Sequence, residues 1–162
     1  MKNLKYGSSI AAFVVLALVA TGIRLVGASQ AYPVAGDAGH FVQLGVALAH
    51  GVPGAMSTYW SQGMIAIAAG AVKLGLDPRY ALQATVLVSG VGVVLLFAGI
   101  VRLLTGSLVL ATAGGLVLAA NPAMVHHSIT GYSEMPYMLF LMAGVFVGLS
   151  KRLPPVLRYV LA

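Results

Sequence analysis

Charge is almost missing from this chain, and that limits its folding options more than any other feature. Nine Lys/Arg and three Asp/Glu are spread over 162 residues. That is 7%, against the roughly 25% of an ordinary soluble domain. A water-facing surface cannot be assembled from so few ionic groups, and the mean hydropathy is +0.98. A soluble globular domain is therefore excluded, and the expected fold is all-α: a polytopic membrane helix bundle. The formal net charge of +6 would suggest nucleic acid in a soluble protein. Here the basic residues are read as setting topology against the membrane, with no nucleic-acid partner. The chain has no cysteine, which removes disulfides, zinc–thiolate sites and thiol nucleophiles.

A crossing helix needs about 20 mostly apolar residues. The first such run covers 7–27, behind Lys2 and Lys5 and with Arg24 near its end. It is longer than the roughly 7–15-residue core of a signal peptide, so a retained span is expected. Residues 30–54 are too rich in Gly, Pro, Asp and His to cross. Within them 38–50 has Phe41, Leu44 and Leu48 at helical spacing, which predicts a surface helix in the first outward loop. The stretch 57–76 is ambiguous: long enough to cross, but weakened by Gly63, Gly70 and Gly75. Asp77-Pro78 stops it and starts the next helix, with Asp as N-cap and Pro in the first position. Spans are then expected over 78–104, over 107–125 with a bend at Asn121-Pro122, and over 133–149. Residues 156–162 read as the start of a fifth. The expectation is thus about four complete spans plus part of another, the sequence being the N-terminal part of a longer membrane domain.

Positive charge decides whether 57–76 crosses. If it does not, Lys2, Lys5, Arg102, Lys151, Arg152 and Arg158 lie inside, and Arg24, Lys73 and Arg79 outside. If it does, only Lys2, Lys5, Lys73 and Arg79 lie inside. The cytoplasmic side should hold the excess, so the first arrangement is expected. The N-terminus is then cytoplasmic, and Asp37 and Glu134 share the extracytoplasmic side of a bacterial or archaeal plasma membrane.

The three acids are the scarcest chemical resource. Asp77 is read as the helix start described above. Asp37 reads either as an N-cap for the surface helix or as a catalytic carboxylate at the membrane face. His40, at i+3, would share its side of the helix. Glu134, in Ser133-Glu134-Met135-Pro136, reads as a first-turn acid capped by Ser133, or as a second functional carboxylate. His126 and His127 are adjacent, so they point about 100° apart on a helix and do not chelate as a pair. Tyr59, Trp60, Tyr132 and Tyr137 fit an aromatic belt. Arg79 and Lys73 are outward cations suited to headgroup or phosphate contact. The glycines of Gly90-Val91-Gly92 and Gly114-Gly115 suit close helix packing.

The order of these features resembles the N-terminal part of the GT-C membrane glycosyltransferases, the group of protein mannosyltransferases and aminoarabinose transferases. A first span leads to Gly36-Asp37-Ala38-Gly39-His40-Phe41 and a helix ending Ala49-His50-Gly51. A second stretch opens at Tyr59-Trp60. Two spans later come Asn121-Pro122 and Gly131-Tyr132-Ser133-Glu134-Met135-Pro136. Asp37 and Glu134 occupy the places of the family's outward-loop acids, while Ala38 stands where many members carry a second acid. The resemblance implies sugar transfer from a polyprenyl-phosphate donor to an acceptor at the outer membrane face, with membrane lipids around the site. It implies Asp37 as base and Glu134 as a metal ligand or acceptor-orienting group, with His40, His126, His127, Tyr132 and Arg79 as candidate substrate-binding residues. The chemistry has room for a divalent metal on Asp37 and Glu134, and for a C-terminal part or partner subunit. Two other readings stand beside it. A transporter-type helix bundle would show ionisable residues near mid-membrane and an internal repeat, and neither is legible. The other is a non-catalytic membrane subunit.

Overall fold

The computed structural model describes residues 2–30, 36–56 and 59–150, and every regular element among them is a helix. In chain order these are α1 (Lys2–Gln30), α2 (Asp37–Ala49), α3 (Gln62–Lys73), α4 (Pro78–Thr105), α5 (Leu108–Ala120), α6 (Pro122–His127) and α7 (Glu134–Leu149). Two stretches, Ser9–Gln30 in α1 and Pro78–Thr105, are long and apolar enough to cross a bilayer. α5 and α7, with 13 and 16 residues, fall short of that length as they stand. Two helices, rather than about four, therefore meet the length criterion.

The expected span over 107–125 is divided for a local reason. Proline disfavours the helical region for the residue before it, and Asn121 accordingly sits at φ −64°, ψ 120°. Its side chain then accepts a hydrogen bond from the Met124 N–H at 3.2 Å and so caps α6. The ambiguous stretch 57–76 is represented by α3, whose 12 residues cover about 18 Å against a hydrocarbon core of about 30 Å. The start of a fifth span at 156–162, with Lys151, Arg152 and Arg158, lies outside the described residues.

Helix directions follow from neighbouring side chains. Gly92 and Gly99 of α4 lie against Leu139 and Phe146 of α7, so these two helices run the same way. Leu16 of α1 lies against Gly115, and Gly27 against Val125 and Ile129, so α1 runs with α5 and α6. Gly90 faces both Arg24 and Ser128, while Phe97 and Ala98 face Gly114 and Gly115. α4 is therefore antiparallel to both α1 and α5. The glycines singled out in the sequence do sit at helix crossings, where a missing side chain lets another fill the space.

Two apolar clusters hold this arrangement. One joins Leu16 and Ala20 of α1 to Val94 and Ala98 of α4 and Ala119 of α5. The other lies at the far end of α1. There Phe41 of α2, Ile65 and Ala68 of α3, Leu82 and Val86 of α4 and Met135 of α7 are buried together. It ties α2 and α3 across the bundle as a cap, which we call the capped end. At the opposite, open end, α4 passes to α5 through Gly106 and Ser107 alone, with Gly106 left-handed at φ 67°. There Arg102 Nη2 donates to Ser9 Oγ at 2.9 Å.

Candidate functional site at the capped end

α2 begins one residue differently from the sequence expectation. Gly36, not Asp37, occupies the N-cap, at φ 54°, ψ −126°. Asp37 is the first helical residue, exposed, with its charge at the positive end of the helix dipole. Ser133 likewise makes no side-chain cap bond to α7. Glu134 does open that helix as its first-turn acid, and it is exposed.

The two loops that carry these acids touch. A methyl carbon placed on Gly36 would lie 2.7 Å from the Tyr132 hydroxyl oxygen. Only glycine suits that point, both for its left-handed φ and for the phenol against it. Tyr132, two residues before Glu134, thus packs against the residue immediately before Asp37. An aromatic belt alone does not account for it, because the ring is half-buried between two segments of the site. Its other neighbours are His126 and His127, with ring centroids 6.3 and 5.8 Å away. Those two imidazoles are 5.6 Å apart at 77°. His126 faces out, while Nδ1 of His127 is buried without a hydrogen-bond partner.

His40 is used differently. Its ring stacks on Trp60 at 4.8 Å and 21°. Phe41 meets the same indole edge-on at 6.0 Å. His40 therefore fastens α2 to the segment that leads into α3. Arg79, expected as a phosphate contact, is taken up by Asp77. Its Nη2 donates to Oδ2 at 2.6 Å and its Nε to Oδ1 at 3.0 Å. The Asp77 carboxylate also accepts the Arg79 backbone N–H at 2.9 Å, which is the expected N-cap of α4. The bonded Arg79 side chain holds the Asp77 carboxyl below its ordinary range, with the backbone N–H adding to the effect. Both groups are substantially exposed, so the pair contributes little to stability. Among the described residues no three His, Asp or Glu side chains converge where a metal could be held.

Arg24 is the functional candidate that the sequence reading did not weigh. It stands in the charge count as an outward cation near the end of the first span. In the structure it is 1% exposed. Its Nη1 donates to the Ala20 carbonyl at 3.1 Å, and its Nε has no partner. Gly90 makes the room: a methyl carbon there would lie 2.8 Å from Arg24 Nε and would clash with the Ser128 side chain. Of the described carboxylates, Asp37 and Glu134 are exposed and Asp77 is paired with Arg79. Ser128 shares this crossing at Gly90, and Ser89 and Thr130 are buried polar side chains as well. Gln83 is buried too, and its amide donates to the Ile129 carbonyl at 3.1 Å. A lone arginine inside an apolar run was the available signal, since an ionisable residue there is costly and tends to be functional. Comparisons with family models, curated proteins and solved structures gave no match.

Proposed function

We propose that the chain is a GT-C-like membrane glycosyltransferase or its N-terminal part, with its site at the capped end on the extracytoplasmic side. The observation that carries this reading is the packing of Tyr132 on Gly36. It draws the Asp37 loop and the Glu134 loop together at one end of the bundle. The helix directions agree with a chain that leaves the cytoplasm in α1, returns in α4, leaves again through α5 and α6 and returns in α7. In this reading α2 and α3 lie at the outer membrane surface, and the exposed apolar residues of α1 and α5 meet lipid.

The chemistry follows from the donor. The acceptor hydroxyl oxygen forms a bond to the anomeric carbon while that carbon's bond to the polyprenyl-phosphate oxygen breaks. The phosphate leaves with the electron pair. The acceptor's proton passes to the Asp37 carboxylate, which stands exposed in the first turn of α2. A lipid phosphate is already a good leaving group and needs no proton donor. Glu134 orients the acceptor. His126 and His127 flank Tyr132, which stands against Gly36 between the loops, and the three are proposed to contact substrate. Asp37→Asn is expected to abolish transfer from a polyprenyl-phosphate sugar while expression and helix content stay as in the wild type. Full activity in that variant would falsify the assignment.

A second reading draws on Arg24, a buried cation within a span-length helix, which a transporter-type bundle moving an anion would use. It predicts anion flux in proteoliposomes that Arg24→Gln removes. A wild-type chain that carries no anion flux overturns it.

A further inference from the structure

A groove of about 720 Å³ runs between α3 and α7, a size that suits a small-molecule or lipid site. Both helices start at the same end of it, and their first residues differ in character from those a turn later. Ser61, Ser133 and Glu134 form the head of the groove, while Met64, Ile67 and Phe140 form its walls. Ser61 and Ser133 both hold N-cap positions, where a serine oxygen ordinarily accepts a backbone N–H. Neither does so here. The head therefore offers two hydroxyls not used for capping and one exposed carboxylate. The walls open sideways, with Tyr137 68% and Phe140 76% exposed. This is the shape of an amphiphile: polar at one end, apolar along its length, and entered from the side.

The polar end also selects. A carboxylate accepts hydrogen bonds and repels phosphate, so the donor's lipid phosphate does not belong here. A head group rich in hydroxyls does, because it donates to Glu134 and exchanges bonds with the two serines. We propose that this groove seats the acceptor, and that the acceptor is a membrane lipid. Its sugar or polyol head lies on Glu134, Ser61 and Ser133, and its chain lies along Met64, Ile67 and Phe140. The inference rests on the glycosyl-transfer reading and gives that site its acceptor class.

Gly63 supplies the test. It lines the groove, and a side-chain carbon added there would meet nothing within 4 Å. Gly63→Phe therefore fills the groove without disturbing the core. The probe is a monoglycosyl diacylglycerol with a diazirine in one acyl chain, in phosphatidylcholine nanodiscs containing the 162-residue chain. Photolabelling is expected on peptides that contain Met64, Ile67 or Phe140, and Gly63→Phe should lower it. Glu134→Gln should lower it about tenfold, the loss of one hydrogen bond to a charged group. Labelling by a matching phosphatidylcholine probe should not change with Glu134→Gln. Equal labelling by both probes, insensitive to either substitution, would mean bulk lipid only and overturn the proposal. Absent labelling in the wild type, as when another helix covers the groove, overturns it as well. Asp37→Asn separates the two ideas, since it should stop transfer and leave labelling intact. Transfer that survives in Asp37→Asn, with labelling retained, defeats the transfer reading and leaves the groove. Transfer that is lost in that variant, with no labelling in any form of the chain, does the reverse.

Discussion

The two ends of the bundle are built from the same helices and could hardly be more different. At the open end α4 turns into α5 through two residues, and a long-range hydrogen bond from Arg102 to Ser9 ties α4 to α1 there. At the capped end the chain spends α2, α3 and α6 on irregular connections. That end holds all three carboxylates and all four histidines of the sequence. A connection made only to join two helices is short. The chain adds elements and gathers its carboxylates and imidazoles at the capped end, which is why the proposed site is put there and the open end is treated as scaffold.

Substitutions can break or sharpen that contrast. The largest effect is expected from Gly36→Val, which places a branched side chain at a left-handed φ and against the Tyr132 hydroxyl. Separating the two loops by about 1 Å should lower transfer on the order of 100-fold, with helix content by circular dichroism unchanged. Loss of the whole fold instead would show that the capped end holds the bundle together. Next comes Gly90→Leu, which overfills the crossing occupied by Arg24 and Ser128. It should destabilise the protein by about 1–3 kcal/mol in detergent unfolding. At the open end, Arg102→Ala removes the bond to Ser9 and should cost about 1 kcal/mol, leaving transfer unchanged. A large loss of transfer there would end the division of labour between the two ends. The smallest effect belongs to Asp77. Its carboxyl is depressed in the folded state, so its contribution is present above the ordinary value of 3.8 and lost as pH falls through the depressed one. Asp77→Asn keeps an N-cap oxygen and should remove that acid dependence from the thermal midpoint, with little change at neutral pH.

The backbone plan was legible in the sequence where local chemistry dictates it. Asp77-Pro78 marks the start of α4, Asn121-Pro122 the division of α5 from α6, and Phe41, Leu44 and Leu48 the amphipathic α2. The inward faces of the long helices were not legible. A helix that is apolar all round carries no periodic signal of which side packs and which side faces outward. That is why the sequence places Arg24 only by membrane side, and its burial between helices becomes visible only in the structure. The contact of Tyr132 with Gly36 was also hidden, since it joins segments nearly a hundred residues apart. Among the candidate site residues, the sequence separated Asp77 from Asp37 and Glu134 correctly as a helix cap. It could not foresee that Arg79 would be engaged by Asp77 or that His40 would stack on Trp60.

That stack has a practical consequence. The chain contains one tryptophan, and its indole lies face to face with an imidazole at the capped end. Tryptophan emission is therefore a report from this end alone, with no label attached. Any ligand, lipid or substitution that shifts α2 against the segment before α3 changes the ring overlap and with it the quantum yield. Events confined to the turn between α4 and α5 leave it silent. The molecule has its own optical gauge, fixed next to the part of the structure whose movements matter most.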